Sequence, residues 1–268
     1  MKENKDIKFS IRISQLTILK MESTYKSVWI ILFLSFLNST VLFSQSSNQS
    51  IIYQAYISGK MDKWASVITS AEKEKSPGIE KKLELISYYY GYTGYLIGTK
   101  KTDTAERYID KAEKLINEVL RKSPANATAF AYKGSFTGFR IGISKFKAIS
   151  LGPESNASIE KALKIDPDNV QAIVDKGNSL FHTPKLFGGD KKEAVRLFQK
   201  AATILEKNAA AKNNWFYLNV LTLIARAYEQ TGNYSMALHS YKKILTFEPD
   251  YQWVKNELYP ACQQKLKN

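Results

Sequence analysis

The residues that could carry acid–base, nucleophilic or metal chemistry are few and widely separated in this chain of 268 residues. There is one cysteine, Cys262, and there are two histidines, His182 and His239, which excludes a disulfide framework and a Cys/His metal site. Carboxylates such as Asp110 and Glu113 lie among lysines at helical spacing, a pattern typical of surface ion pairs. The sequence contains no GxSxG, phosphate-loop or HExxH motif. We therefore expect no enzymatic activity, no metal and no cofactor.

The basic side chains suit a solvated surface better than nucleic-acid recognition. Lysine and arginine number 39 against 25 acidic residues, which gives a formal charge of +14, and only six of the 39 are arginines. A lysine is a hydrated point charge that reads phosphates and bases poorly. We expect a solvated basic surface with a weak preference for anionic surfaces, and no nucleic-acid partner.

An apolar segment near the start has the features of an export signal. Residues 28–43 are uncharged, Lys26 precedes them, and Ser44-Gln45 follows. The segment is short for a membrane-spanning helix, which needs about 20 residues. We predict a signal peptide that is cleaved near Ser44, with translation starting at Met1 or at Met21. The predicted domains are a leader over residues 1–44 and a mature domain over residues 45–268, which is periplasmic or secreted. The alternative is an uncleaved signal that anchors the protein in the membrane.

Small residues recur at a long interval in the mature domain. Gly91, Gly134 and Gly177 are 43 residues apart, and Ala225 follows 48 residues later. Each lies in a helical pattern that ends in a turn and precedes a second amphipathic pattern. The spacing predicts a series of helical hairpins with small residues where the helices cross.

The most regular hairpin pattern lies near the C-terminus. Small residues stand at Ala225 and Ala237, and a proline, Pro249, follows the second helix. Gly232-Asn233 supplies the turn between the helices and a cap for the second one. This spacing resembles the tetratricopeptide repeat, a helical hairpin of 34 residues. The segment KALKIDPDN at residues 161–169 also resembles the end of such a repeat.

The resemblance implies an all-α fold, an α-α superhelix of about four to five helical hairpins with a C-terminal capping helix. The earliest hairpin is degenerate and is expected to turn within residues 55–64. The capping helix is expected to run from Gln252 to Lys267, with Cys262 as a buried or half-buried packing residue on it. The residue usage and the FSQ junction resemble exported proteins of Bacteroidota.

Two of the first helices are rich in glycine at helical spacing. Gly91, Gly94 and Gly98 lie in one of them, and Gly134, Gly138 and Gly142 in the other. Each glycine inside a helix costs about 1 kcal/mol relative to alanine. Close approach between helix backbones would offset that cost, and a gap that opens for a ligand is the alternative.

The third repeat carries extra residues between its two helices. Pro184 and Gly188-Gly189 predict an ordered turn, and Asp190 with Glu193 predicts a helix cap. The string PKLFGGDKKEA resembles a segment of some exported bacterial tetratricopeptide proteins, among them periplasmic partners of solute transporters.

In tetratricopeptide stacks the first helix of each hairpin lines the concave surface. Carrying those positions over residue by residue gives a candidate groove, which comprises Tyr88, Tyr92, Tyr95, Phe139, Asn178, His182 and Arg226. Tyrosines, an amide, an imidazole and a guanidinium suit a peptide or a small polar–aromatic ligand. For the three tyrosines a packing role is the alternative, and for His182 a structural hydrogen bond.

The leading interpretation is an exported, non-catalytic adaptor or scaffold that binds a protein or peptide partner in this groove. The alternative is a periplasmic small-molecule-binding protein that is associated with a solute transporter. An open groove would favour a peptide, whereas a closed pocket would favour a small ligand. In both interpretations the chain contacts the membrane only through its signal peptide.

Overall fold

A computed structural model describes residues 47–267, and within them the chain forms eleven α-helices and no β-strand. The helices are α1 (Ser47–Ser58), α2 (Met61–Ala71), α3 (Ile79–Gly98), α4 (Thr102–Lys122), α5 (Ala127–Ile143), α6 (Ala148–Ile165), α7 (Val170–His182), α8 (Lys191–Lys207), α9 (Trp215–Gln230), α10 (Tyr234–Phe247) and α11 (Tyr259–Lys267). The all-α prediction is confirmed. The predicted leader, its cleavage site and the start at Met21 lie outside the described residues.

Consecutive helices pair into five hairpins, and α11 packs on the last of them. The odd-numbered helices α1 to α9 are the first helices, and each even-numbered helix is the second helix of its hairpin. Neighbouring first helices contact each other along the stack, α3 with α5 and α5 with α7. The first hairpin turns at Gly59, inside the segment 55–64 where the sequence predicts its turn.

Side-chain caps fix where several helices begin. Asn126, Asn169, Asn214 and Asn233 each accept a hydrogen bond from a backbone N–H in the first turn of the following helix. Asp190 does the same for α8 and accepts from the N–H groups of residues 192 and 193. The predicted caps at Asn233 and Asp190 are confirmed, and each satisfies donors that a helix leaves unpaired at its start.

Small residues mark the closest helix crossings inside three hairpins. A Cβ on Gly134 would lie 2.6 Å from Ile159 of the paired helix α6, and a Cβ on Gly177 would lie 2.5 Å from Phe198 of the paired helix α8. Ala225 is fully buried in the last hairpin. Close approach therefore accounts for Gly134, as one of the two alternatives predicted, but not for Gly98 and Gly142, where an added Cβ would meet no atom within 4 Å.

Gly91 does not occupy the equivalent position, so the prediction that it continues the 43-residue period is wrong. A Cβ there would meet Trp64 of α2 at 2.5 Å and Trp215 of α9 at 2.9 Å, and these helices belong to other hairpins. Thr93 is fully buried and lies 12 residues before Ala105, the separation that also relates Ala225 to Ala237. The first clear repeat is thus registered two residues later than the glycine spacing predicts.

The two ends of the stack contact each other. The Tyr53 hydroxyl in α1 donates to Glu248 beyond α10 at 2.5 Å. The Trp64 and Trp215 rings lie 5.0 Å apart in an edge-to-face arrangement. The stack of hairpins is therefore closed by contacts between its first and last members.

The C-terminal segment forms the predicted capping helix. A widened turn over Val254–Leu258 leads into α11, and this geometry accommodates the ring of Pro260, which cannot continue a regular helix. Cys262 is fully buried beneath Tyr234, as predicted. Among residues 47–267, none of the helices combines the length and the apolar character needed to cross a bilayer.

Candidate binding surface

Aromatic rings from the first helices fill the centre of the concave side. The buried ring of Tyr90 in α3 lies 5.2 Å from Phe139 and 5.9 Å from Tyr132, both in α5. It also lies 6.2 Å from Phe216 and 6.4 Å from Trp215 in α9. Three hairpins that are far apart in sequence are joined by this central cluster. The middle of the candidate groove is therefore occupied by packed side chains.

A carboxylic acid is buried beside the central cluster. Asp175 in α7 is 5% exposed and accepts a hydrogen bond from the Gln171 side chain at 2.9 Å, and it is also hydrogen-bonded to Ser135. Burial raises the pKa of Asp175 to about 7, while hydrogen bonds from Ser135, Gln171 and Tyr90 act in the opposite direction. No ion pair to Asp175 occurs within residues 47–267.

The hydrogen bonds around Ser135 fit a protonated Asp175. The Ser135 hydroxyl lies 3.1 Å from the carbonyl oxygen of Ala131 as well as against the Asp175 carboxyl. A hydroxyl has a single proton to donate. If the protonated Asp175 donates to Ser135, that hydroxyl can donate to Ala131, and both contacts are satisfied.

The three predicted tyrosines of α3 lie away from the central cluster. Tyr88 is buried, and its hydroxyl donates to Glu84 one turn earlier at 2.7 Å. Tyr92 packs edge-to-face on Tyr108 of the paired helix α4 at 5.2 Å, and its ring lies 5.9 Å from that of Tyr95. These side-chain contacts of the three tyrosines all lie within the α3–α4 hairpin, and Tyr90 takes the central place in the concave side.

Arg226 is exposed on the first helix of the last hairpin. Its guanidinium lies 5.6 Å from the centre of the Trp253 ring, within range of a cation–π contact. Its charge also reaches His182 at the end of α7: desolvation lowers the pKa of that imidazole, and the positive charges of Arg226 and Lys191 act in the same direction. We refer to Arg226, Trp253 and His182 as the Arg226 patch.

No carboxylate neutralises Arg226 in the described chain. Glu229, one turn further along α9, has both carboxylate oxygens engaged: Oε1 accepts from Lys265 at 2.8 Å, and Oε2 accepts from the Tyr241 hydroxyl at 2.8 Å. The Arg226 patch therefore presents a cation that is held by an aromatic ring and is free to pair with an anion.

The structure divides the predicted site residues into three groups. His182 lies within electrostatic range of Arg226, Phe139 belongs to the central cluster, and Tyr88, Tyr92 and Tyr95 pack elsewhere on α3. Asn178 is half-buried on α7, between Asp175 and His182 along the helix.

Sequence reasoning missed Tyr90, Asp175 and Trp253. A lone aspartate in the apolar string AIVDKG was the available signal for Asp175, since an unpaired carboxylate rarely lies on a buried helix face. For metal binding, residues 47–267 bring together no group of three or more His, Cys, Asp or Glu side chains that could hold an ion.

Comparison with known proteins supports the hairpin repeat. The family model described as tetratricopeptide repeat matches residues 218–251, which include α10 and most of α9. No curated protein matches the sequence.

Two solved structures have a similar fold. One is a thermophilic tetratricopeptide protein of Thermus thermophilus, with a TM-score of 0.53 and 11% identity over 83% of this chain and 100% of that one. The other is the HusA haemophore of Porphyromonas gingivalis, with a TM-score of 0.53 and 16% identity over 70% of this chain and 96% of that one. Residues 218–251 thus match a tetratricopeptide repeat, and the stack of helical hairpins has the fold of tetratricopeptide proteins.

Proposed function

We propose that this protein is an exported, non-catalytic adaptor that binds a protein or peptide partner at the Arg226 patch. The observation that carries the proposal is the exposed Arg226 guanidinium, which lies over Trp253 and has no carboxylate partner in residues 47–267. Arginine and tryptophan are the residue types that most often dominate binding energy at protein interfaces. The tetratricopeptide fold is itself suited to an adaptor, because its stacked helices present an extended surface.

The chemistry of the patch selects an anionic group on the partner. A planar guanidinium pairs with a carboxylate through two parallel hydrogen bonds, and the aromatic ring beneath it excludes water from one face. Lys191 adds to the positive charge near His182. We infer that the partner offers an Asp or Glu side chain, or a C-terminal carboxylate, to Arg226.

Substitution of Arg226 tests the adaptor proposal. We expect Arg226→Ala to weaken affinity for the native partner by about tenfold or more, since truncating an arginine that dominates an interface typically costs about 2 kcal/mol or more. Arg196→Ala is the matched control, because Arg196 is an exposed arginine on a second helix and is ion-paired with Glu193. The partner is identified by affinity capture from periplasmic extract, and each variant is then titrated calorimetrically. Equal affinities for Arg226→Ala and wild type would contradict the proposal.

Export has a separate test. If residues 28–43 form a signal peptide, N-terminal sequencing of the native protein should begin near Gln45, and fractionation should place it outside the cytoplasm. An intact N-terminus in the cytosolic fraction would contradict export and leave the Arg226 proposal standing.

A second candidate function is small-molecule binding, as in the transporter-associated alternative. It is favoured by the central cluster, where aromatic rings surround a carboxyl group without an ion-pair partner, Asp175. HusA, whose fold is similar, is a haemophore. Native mass spectrometry of the purified protein should reveal a co-purified ligand, and titration with haemin is one direct probe. A mass equal to that of the polypeptide alone, with no spectral change on titration, would remove this candidate.

A further inference from the structure

Four large apolar side chains are exposed to solvent on two neighbouring connections between helices. Phe146 is 95% exposed and Ile149 is 90% exposed at the α5–α6 connection, and Leu186 and Phe187 are 88% and 76% exposed at the α7–α8 connection. Single exposed apolar residues are ordinary, but a cluster of large ones usually marks an interaction surface.

The two connections lie at the same edge of the stack. Each joins the first helix of a hairpin to the second helix, and the two hairpins are adjacent. Along the facing helices, Ser179 of α7 donates to Asn156 of α6 at 2.7 Å, and Lys176 pairs with Glu160. Because the later residue of α7 contacts the earlier residue of α6, the two helices are antiparallel, and the end of α7 lies beside the start of α6. The exposed side chains of both connections therefore belong to one surface.

Backbone hydrogen bonds hold the α7–α8 connection in a defined turn, and this turn sets the exposure of its apolar side chains. Phe187 and Gly189 donate to the carbonyl of Pro184, and Asp190 donates to that of Leu180. Gly188 has a φ of +91°, and a Cβ on Gly189 would lie 1.8 Å from the Thr183 carbonyl oxygen. Glycines at these positions permit a turn that directs Leu186 and Phe187 outwards.

Lysines surround the exposed apolar side chains. The flanking cations are Lys145, Lys147, Lys185, Lys191 and Lys192, all exposed and none ion-paired within residues 47–267. The two segments, residues 144–151 and 183–192, contain a single carboxylate, Asp190, which caps α8. This edge is therefore both apolar at its tips and positively charged around them.

We propose that this edge, which we term the Phe146–Phe187 edge, docks on the surface of an anionic phospholipid bilayer. Apolar side chains can enter the boundary between headgroups and acyl chains while flanking lysines contact lipid phosphates. The centre of a protein–protein interface is depleted of lysine, so five lysines around the apolar tips favour a lipid partner. The docking is peripheral, and the edge adjoins the Arg226 patch at His182 and Lys191.

A fluorophore on the edge reports docking directly in the full-length chain. Leu186→Cys is labelled with an environment-sensitive dye such as NBD, with the buried Cys262 left in place and dye-treated wild type as the blank. The matched control is Lys212→Cys, an exposed position in the connection between α8 and α9 at the opposite edge. We expect the dye at residue 186 to brighten several-fold with vesicles of phosphatidylcholine and phosphatidylglycerol, and not with phosphatidylcholine alone. The dye at residue 212 should not respond.

Charge variants test the lysines separately. In the labelled Leu186→Cys protein, the triple change Lys145→Gln, Lys147→Gln and Lys185→Gln should raise the half-saturating vesicle concentration by about tenfold or more. The control is Lys73→Gln, Lys75→Gln and Lys122→Gln, which removes the same charge from the opposite edge. Circular dichroism confirms that each variant is folded.

Several outcomes would overturn the proposal. One is an equal response at residues 186 and 212, which would mean that another part of the chain, such as residues 28–43, carries the binding. Another is an equal response to charged and uncharged vesicles. No response to either vesicle would assign the exposed side chains to a protein partner.

Discussion

Among the carboxyl groups of residues 47–267, Asp175 is the one whose ionisation is most strongly coupled to folding. It is buried beside Tyr90 and Tyr132, and its pKa of about 7 reflects the loss of water around the carboxylate. The unfolded chain would hold this proton only below about pH 4. Between these two pH values the folded protein binds a proton that the unfolded chain does not, so this group makes the folded state less stable as pH rises from about 4 to 7.

Asp175→Asn should therefore stabilise the protein at high pH and have little effect at low pH. An asparagine keeps an oxygen that accepts hydrogen bonds and carries no charge at any pH. A pKa difference of about three units corresponds to a gain of at most about 4 kcal/mol above pH 8, and this gain should shrink towards pH 4. Urea unfolding of the variant and the wild type at pH 4.5, 6 and 8 measures it.

The control for this experiment is Asp168→Asn, which removes an exposed aspartate that pairs with Lys200. It should change the free energy of unfolding by less than about 1 kcal/mol. A difference between Asp175→Asn and wild type that is the same at all three pH values would contradict the assignment of a neutral Asp175.

The wrong assignment of the α3 tyrosines to the groove shows that a side chain can be assigned to a helix face only if the repeat register is known to the residue. One residue along a helix rotates the side chain by about 100°, so a register error of two changes the face completely. With Thr93 rather than Gly91 as the small residue of the repeat, Tyr90 moves to the concave side and Tyr92 moves towards Tyr108, as the structure shows. The glycine at residue 91 was misleading because it accommodates Trp64 and Trp215 from other hairpins.

At the scale of helices and turns, the sequence was most informative where hairpins keep the length of the standard repeat. The last hairpin, with Ala225, Gly232 and Asn233, was predicted in detail. In the earlier hairpins the extra residues go to different places. They lengthen α3 and α4 in one repeat, add a turn before α6 in the next, and form the α7–α8 connection in the third. No local pattern distinguishes a longer helix from a longer turn when both contain helix-forming residues.

The crossing of α9 and α10 at Ala225 gives a test of this element. Ala225→Leu should destabilise the protein by about 1–3 kcal/mol, because the buried position has no room for three more carbons. Thermal unfolding followed by circular dichroism measures the change. Ala157→Leu is the matched control, since Ala157 is exposed on α6 and a leucine there should be nearly neutral. An unchanged melting temperature for Ala225→Leu would mean that the two helices are not closely packed.

The whole molecule differs from an open repeat array because its ends are joined. In a linear stack each repeat contacts only its neighbours, and terminal repeats open independently. Here Tyr56 of α1 lies 5.1 Å from Tyr251 and 5.9 Å from Trp215, so the first and last hairpins share one aromatic contact region. The sequence could not predict this closure, because it depends on the summed curvature of five hairpins and on side chains that no repeat position specifies.

Closure makes the stability of the first hairpin depend on a residue about 150 positions away. Trp215 contacts Tyr56 and Trp64, so its removal would weaken the support that the last hairpin gives to the α1–α2 hairpin. We expect Trp215→Leu to speed amide hydrogen exchange throughout α1 and α2, and to affect α6 and α8 much less. Hydrogen exchange followed by mass spectrometry resolves these segments. Leu266→Ala is the control, because Leu266 is half-exposed near the end of α11 and should leave exchange in α1 and α2 unchanged. If Trp215→Leu altered exchange only in α9 and its sequence neighbours, the ends of the stack would be independent of each other and the molecule would behave as an open repeat array.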